Sequence, residues 1–412
     1  MESSAYPMLF SPIKVGTTEV KNRVFMPPVS TNLADHGYVT DDLVDHYRAR
    51  AKGGVGLIIT EVVTVEPTYT YLPGDMCCYD DTFIPGWEKL AAAVHEYGCK
   101  IMPQLFHPAY MAFNIPGTPR LIAPSFVGPS YAREAPRPIT VDEIHELTHQ
   151  FGDAAVRMQK AGVDGVEVHA AHAHGMLGGF LTPLYNKRTD EYGGSFENRV
   201  RYALEVVAAI KEAAPELMVE YKLPVIMENP DGTPRGKGGL QPDEACEFAK
   251  LLEGAGIDMI QVAQANHTGN MGDTIPPMGA MPYNWTLPVA ERVKALVSVR
   301  VATVGRVVSV EAGEKILEDG AADIIAYGRS LMCDPDIALK AATGEPIREC
   351  LNCNKGCVDA IQNRKYISCV LNAENGDEAG RGRQEDRRGG RRYCRPGGRA
   401  RGGQARLRRD RL

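Results

Sequence analysis

The sequence has no apolar run long enough to cross a bilayer. Its longest, Val55 to Val65, is interrupted by Glu61, whereas a spanning helix needs about 20 predominantly apolar residues. The opening residues, MESSAYPMLF, have neither the basic stretch nor the apolar core of a secretion signal. Membrane and secreted proteins are therefore not expected, and a cytoplasmic protein is. The body of the chain also lacks positive charge. Net charge is −6, yet Ala379 to Leu412 hold thirteen Arg against three acidic residues, so the remainder stands near −16. An acidic body argues against nucleic acid as a partner. Absent too is a Gly-rich phosphate turn after the first apolar run, which argues against an open doubly wound sheet.

A repeated punctuation is present instead. A helix-period stretch ends, a glycine follows, and a short apolar run begins. This occurs at Gly53-Gly54-Val55-Gly56, Gly98, Gly162-Val163-Asp164-Gly165, Gly256-Ile257-Asp258 and Gly320-Ala321-Ala322-Asp323. Glycine takes the left-handed conformation past a helix end at low cost. Continuous apolar runs suit strands buried on both faces of a parallel sheet. Eight strands are expected near Val24–Met26, Leu57–Thr60, Ile101–Leu105, Gly165–His169, Val219–Leu223, Met259–Val262, Val301–Val304 and Ile324–Tyr327. Between them, Thr140 and Glu143 form a capping box before Ile144, Leu147, Phe151, Ala155 and Met158. Pro242 opens another helix, with Ala245, Phe248 and Leu252 on one face. The expected fold is α/β, a TIM (β/α)8 barrel over residues 1–345. Long connections at 64–84, 107–139 and 266–287 follow strands two, three and six and read as active-site covers.

Past the barrel, residues 346–377 carry Cys350-x2-Cys353-x3-Cys357-x11-Cys369. Four thiolates at this spacing suit an iron–sulfur cluster or a tetrahedral zinc ion. Cys77, Cys78, Cys99, Cys246 and Cys333 are scattered and read as ordinary thiols. Residues 378–412 are Arg/Gly-rich with no Ile, Val or Phe and are expected to be disordered. They read either as a basic arm or as a frameshift product. Back-translation of 382–401 with GC-rich codons, shifted by one base, yields GRKTAVVGGGIAGLEAA, which contains a dinucleotide-binding fingerprint.

Barrel chemistry sits at the carboxyl ends of strands. Strands seven and eight end in Gly305-Arg306 and Gly328-Arg329. Glycine admits close backbone approach and arginine adds charge, so the two pairs suit a phosphate, although each alone would pass for a surface arginine after a loop glycine. Strand four ends in His169-Ala170-Ala171-His172, with His174 nearby. These imidazoles read as core histidines, as metal ligands, or as donors to a substrate oxygen on which charge develops.

The segments LFSPIKVGTTEVKNRVFMPPVS, VEVHAAHAHGMLGGFLTPLYNKRTDEYGGSFENR, VATVGR, DIIAYGRSLMCDP and CLNCNKGC resemble the old yellow enzyme superfamily. The likeness is to its iron–sulfur branch, which holds 2-enoate reductase, 2,4-dienoyl-CoA reductase and bile-acid-pathway NADH:flavin oxidoreductases. The resemblance implies FMN lined by Pro27, Pro28, Val29, Ser30 and Val62. It places Gln104 at the pyrimidine edge, Lys222 near N1, and Gly305, Arg306, Gly328 and Arg329 at the phosphate. It also implies a [4Fe–4S] cluster on Cys350, Cys353, Cys357 and Cys369.

The activity implied is an NAD(P)H-driven ene-reductase, or its reverse. It would move hydride between FMN and the β-carbon of an unsaturated acid, thioester or steroid enone, with His169 and His172 catalytic. An amine dehydrogenase and a truncated, non-catalytic or electron-carrying flavoprotein are the alternatives. The family's proton-donating Tyr is replaced by Met176, so His267 is expected as donor, with Tyr185, Tyr283 or His174 as substitutes. The family's carboxy-terminal FAD/NAD(P)H module is missing, so FAD is expected only in a full-length form. The expected partner is a small unsaturated molecule, not nucleic acid or a membrane; assembly into a homo-oligomer is left open.

Overall fold

The structure is a computed structural model that describes residues 5–72, 74–112, 119–126, 135–173, 175–265, 272 and 274–380. The eight expected strands are all present: β3 (Val24–Met26), β4 (Leu57–Thr64), β6 (Lys100–Phe106), β9 (Gly165–His169), β10 (Met218–Val225), β11 (Met259–Gln264), β12 (Arg300–Thr303) and β13 (Ile324–Ala326). They pair in parallel in the order β3-β13-β12-β11-β10-β9-β6-β4, and β4 pairs back to β3 through Phe25↔Leu57 and Met26↔Ile58. The sheet is therefore a closed (β/α)8 barrel, as expected.

The helices follow the sequence signals. In α3 (Val141–Lys160) the Thr140 side chain accepts from Glu143 N and Glu143 reaches back to the Thr140 backbone; Ile144, Leu147, Phe151, Ala155 and Met158 are buried. In α6 (Pro242–Gly254) Ala245, Phe248 and Leu252 are buried behind Pro242. Other helices include α1 (Asp41–Lys52), α5 (Phe196–Ala213) and α8 (Val310–Glu318).

The amino-terminal mouth is closed by an element that the periodicity does not announce. A hairpin, β1 (Ile13–Val15) and β2 (Thr18–Val20), precedes the first barrel strand. Its Ile13, Val15 and Val20 cluster with Phe25, Leu57, Ile59, Met102, Met218, Met259, Ala302 and Ile324. These are the inward-pointing residues at the amino ends of the strands, so the hairpin is an apolar plug. The connections expected as covers hold short strands: β5 (Met76–Cys77) adds to β4, and β7 (Ile122–Ala123) pairs with β8 (Arg137–Pro138).

The cysteine-bearing segment lies against the barrel. Ile367 N donates to Thr31 O at 3.0 Å, Met278 N to Asn352 O at 2.9 Å, and Asn372 Nδ2 to Met332 O at 3.1 Å. A buried ion pair fastens its far end. Arg50, wholly buried in α1, donates to Glu378 Oε1 at 2.6 Å and to Asn375 Oδ1 at 2.6 Å, and His46 Nδ1 lies 2.8 Å from the same Glu378 oxygen. Chain order thus continues through Glu378, where the basic tail was expected to begin; residues 381–412 lie outside the described residues.

Burial pushes the Glu378 carboxyl up, but His46 and Arg50 pull it further down, leaving it well below its ordinary value of 4.5. A depressed carboxyl contributes stability above its unfolded pKa and loses it as pH falls through the folded one. Glu378→Ala should cost about 3–5 kcal/mol, because Arg50 is left buried and unpaired. It should also flatten the loss of stability expected of the wild type below pH 4.5, measured by urea unfolding across pH. A wild-type-like acid profile in Glu378→Ala would remove the clasp from the account.

Candidate active site

Strand alternation sets what lies above the plug. Two positions beyond Met102, Met218 and Met259 come Gln104, Glu220 and Gln261, and β9 adds Glu167; all four are buried. Gln104 Nε2 donates to Glu167 Oε1 at 3.1 Å and Gln261 Nε2 to Glu220 Oε1 at 3.2 Å. Lys222 Nζ lies 3.6 Å from Glu167 Oε1. Burial raises the Glu167 carboxyl against the lowering effect of Lys222 and Gln104, and raises Glu220 well above its usual value with help from Glu167. The other oxygen of each carboxyl is buried without a hydrogen-bond partner, which favours the neutral forms.

Above this polar layer a cavity of about 1030 Å³ opens at the carboxyl ends of the strands. Every described residue expected at the flavin lines it, and so do His169 and His172. Pro27, Pro28, Val29 and Ser30 come from the end of β3, Val62 from β4, Gln104 from β6, Lys222 from β10, and His169 and His172 from the end of β9. Gly305-Arg306 and Gly328-Arg329 complete the wall. β12 and β13 are parallel neighbours, with Ala302↔Ile324 and Thr303↔Ile325, so the loops that follow them emerge side by side. His267 and His174 lie outside the described residues.

Two cations share this hollow. Arg306 takes a left-handed backbone conformation, φ +60°, unusual for a residue with a side chain. Its Nη1 donates to Met281 O, its Nε is buried without a partner, and the Tyr283 ring stacks on it at 4.9 Å. Arg329 Nη1 donates to Pro276 O at 3.0 Å and Asn354 Oδ1 at 2.8 Å. Burial lowers the Arg329 pKa and Arg306 lowers it further, so the two cations are close enough to repel. A cavity that holds two such groups favours an anion.

At the other end His169 Nε2 lies 3.3 Å from His172 Nδ1, and the rings meet edge to face with centroids 4.7 Å apart. One proton fits between those nitrogens, so one ring donates and the other accepts. Phe106 packs against His169 at 4.9 Å. Tyr71 also lines the cavity, its ring 6.5 Å from His172. Neither Tyr185 nor Tyr283 is part of the cavity wall.

Glu61 was visible in the sequence only as a break in an apolar run. It is wholly buried and accepts from Thr31 N at 2.6 Å and Thr31 Oγ1 at 2.5 Å. Burial pushes its carboxyl up to about 7, against the Thr31 and Asn32 donors that lower it. It pins the loop that carries Pro27 to Ser30.

The four clustered cysteines border a second, small hollow of about 20 Å³. Cys333, set aside in the sequence as a scattered thiol, borders it as well and interacts with Cys369. Among the described residues no three Cys, His, Asp or Glu side chains are gathered closely enough to hold a metal ion. Tyr71, Glu61 and Cys333 are thus the site residues that sequence reasoning missed. A charge inside a buried strand was the usable signal for Glu61, and a phenol in an expected cover was the one for Tyr71.

The model of the NADH:flavin oxidoreductase / NADH oxidase family matches residues 8–347. The bilirubin reductase of Mediterraneibacter gnavus is 45% identical over 379 residues, covering 90% of this chain and 57% of that protein. The cinnamate reductase of Clostridium sporogenes is 34% identical over 403 residues, covering 90% of this chain and 58% of that one. Among solved structures, a 2-naphthoyl-CoA reductase in complex with 2-naphthoyl-CoA superposes with a TM-score of 0.81 at 27% identity, over 90% of this chain and 58% of that one. The chain therefore spans little more than half the length of these relatives.

The two Gly-Arg loops differ in tolerance. A Cβ on Gly305 would stand 2.5 Å from Thr286 Oγ1, which itself donates to Val304 O at 2.7 Å. A Cβ on Gly328 would meet Pro27 Cγ at an ordinary 3.5 Å. Gly305→Ala should cost about 1–3 kcal/mol in urea unfolding, and Gly328→Ala clearly less. Equal costs would mean that Thr286 does not constrain the first loop.

Proposed function

The chain belongs to the NADH:flavin oxidoreductase / NADH oxidase family, and from that premise we propose that it is an FMN-dependent ene-reductase acting on a conjugated carbon–carbon double bond. The observation that carries this reading is a single cavity with two cations at one end and paired imidazoles at the other. The residues fit the cofactor: Arg306 has a buried, unpartnered Nε at the anion end, and the Arg329 guanidinium lines the same cavity. FMN, when bound, would store two electrons from NAD(P)H and supply hydride.

The chain's own groups do the rest. Arg306 and Arg329 hold the phosphate, with the Gly305 and Gly328 backbone alongside. Gln104 and Lys222 meet the polar edge of the ring, while Pro27 to Ser30 and Val62 exclude water from it. His169 and His172 bind a carbonyl or carboxylate oxygen of the substrate and stabilise the negative charge that gathers there as the β-carbon is reduced. Tyr71, on the same wall, delivers the proton to the α-carbon in place of the aromatic donor that Met176 cannot be. Cys350, Cys353, Cys357 and Cys369 would hold a [4Fe–4S] cluster that stores single electrons. Four soft thiols bordering one hollow, at the spacing of the sequence, support this reading. The two relatives named for bilirubin and cinnamate reduction make conjugated carboxylic acids the first substrates to test.

Anaerobically purified protein should show flavin bands with a broad shoulder that dithionite bleaches. After photoreduction, mixing with bilirubin, cinnamate, crotonyl-CoA and a 3-oxo-4-ene steroid should reoxidise the flavin with at least one of them. Protein that holds reduced flavin against all four is not an ene-reductase of this class. Tyr71→Phe should slow reoxidation about 100-fold with flavin content unchanged. An unaltered rate would assign the proton to another group or to solvent.

A further inference from the structure

Two residues line both the large barrel cavity and the small cysteine hollow: Arg329 and Cys357. Arg306, its partner in the barrel cavity, lines that cavity alone and turns Nη1 to Met281 O. Arg329 opens α9 (Arg329–Cys333), a five-residue helix whose last residue borders the cysteine hollow. Its Nη1 reaches Asn354 Oδ1 at 2.8 Å, and Asn354 stands in the turn between Cys353 and Cys357. That asparagine is fixed on its other side, donating from Nδ2 to Ile275 O at 2.6 Å, and it holds a left-handed backbone, φ +62°. The guanidinium is therefore a piece of the partition between the two hollows and is bonded to the cysteine turn itself.

We propose that Arg329 is a positioning residue and counter-ion shared by two sites, gripping the anionic ligand of the barrel cavity while offsetting the negative charge of the cysteine site. This rests on the reading above, that the cavity takes a flavin phosphate and the cysteines a cluster. Arg348, which lines neither hollow, reaches the Cys333 carbonyl at 3.2 Å. A cluster held by four thiolates is anionic, and adding an electron makes it more so. A fixed cation beside it in a poorly hydrated wall favours the reduced form and the bound form.

The two arginines supply the test. Wild type, Arg306→Gln, Arg329→Gln and Arg329→Lys are purified anaerobically. Bound FMN is measured by fluorescence, iron retention against a chelator by absorbance, and the cluster midpoint potential by a titration followed with electron paramagnetic resonance. Both glutamine variants should lose FMN affinity, about tenfold or more. Only Arg329→Gln should shift the cluster to a lower potential and release iron faster. Arg329→Lys should keep the potential near the wild-type value, because charge is retained, while FMN affinity falls with loss of the planar fork. An unmoved potential in Arg329→Gln, or an equal shift in Arg306→Gln, overturns the proposal and leaves the flavin and cluster assignments standing. Wild-type protein without iron overturns the cluster assignment, and the proposal with it.

Discussion

Two guanidinium groups, Arg306 and Arg329, face one cavity, and the charge they bring to it is the constraint that the upper end of the barrel has to satisfy. Strands β12 and β13 are parallel neighbours, so each delivers its Gly-Arg pair to the same rim without any long-range sequence match. Arg306 accepts a left-handed backbone to point there, and such conformations persist only where the surroundings over-determine them. Among the described residues the one carboxylate in the cavity wall is Glu61, which is committed to Thr31. The demand is for a bound anion, and a phosphate fits both the charge and the fork geometry.

The barrel is graded along its axis. At the amino end the interior is an apolar plug completed by the β1–β2 hairpin. One step up it becomes a hydrogen-bonded layer of Gln104, Glu167, Glu220 and Gln261, with carboxyls driven toward neutrality by burial. Another step up come Lys222 and His169, which border the cavity. This order puts stiffness below and chemistry above. Lys222 Nζ stands 3.6 Å from Glu167, so the cation that borders the cavity is tied to the polar layer beneath it by a residue that the sequence pattern leaves unremarked.

Much of this was legible from local pattern. Strands buried on both faces announce themselves as short apolar runs, five of them after helix-ending glycines, and all eight appear where those runs put them. Strand ends then converge by barrel geometry, which is why His169, Gln104, Lys222 and the two Gly-Arg pairs meet although their sequence positions are far apart. Features that depend on contact between distant segments were not legible. The Arg50–Glu378 pair, the Glu61–Thr31 clasp and the approach of Cys333 to Cys369 each join residues with no shared local signal. Tyr71 was hidden for another reason: connections of irregular backbone do not reveal from composition which side chain lines the cavity.

The central claim is that the paired arginines grip a phosphate, and comparing ligands that differ only in that group tests it most directly. Apoprotein is titrated with FMN and with riboflavin, by flavin fluorescence quenching at low and high ionic strength. Two charge-assisted contacts at about 1.5–3 kcal/mol each predict that FMN binds at least about 100-fold more tightly than riboflavin, with the gap narrowing as salt rises. Equal affinity for the two flavins, at any salt, would contradict the account.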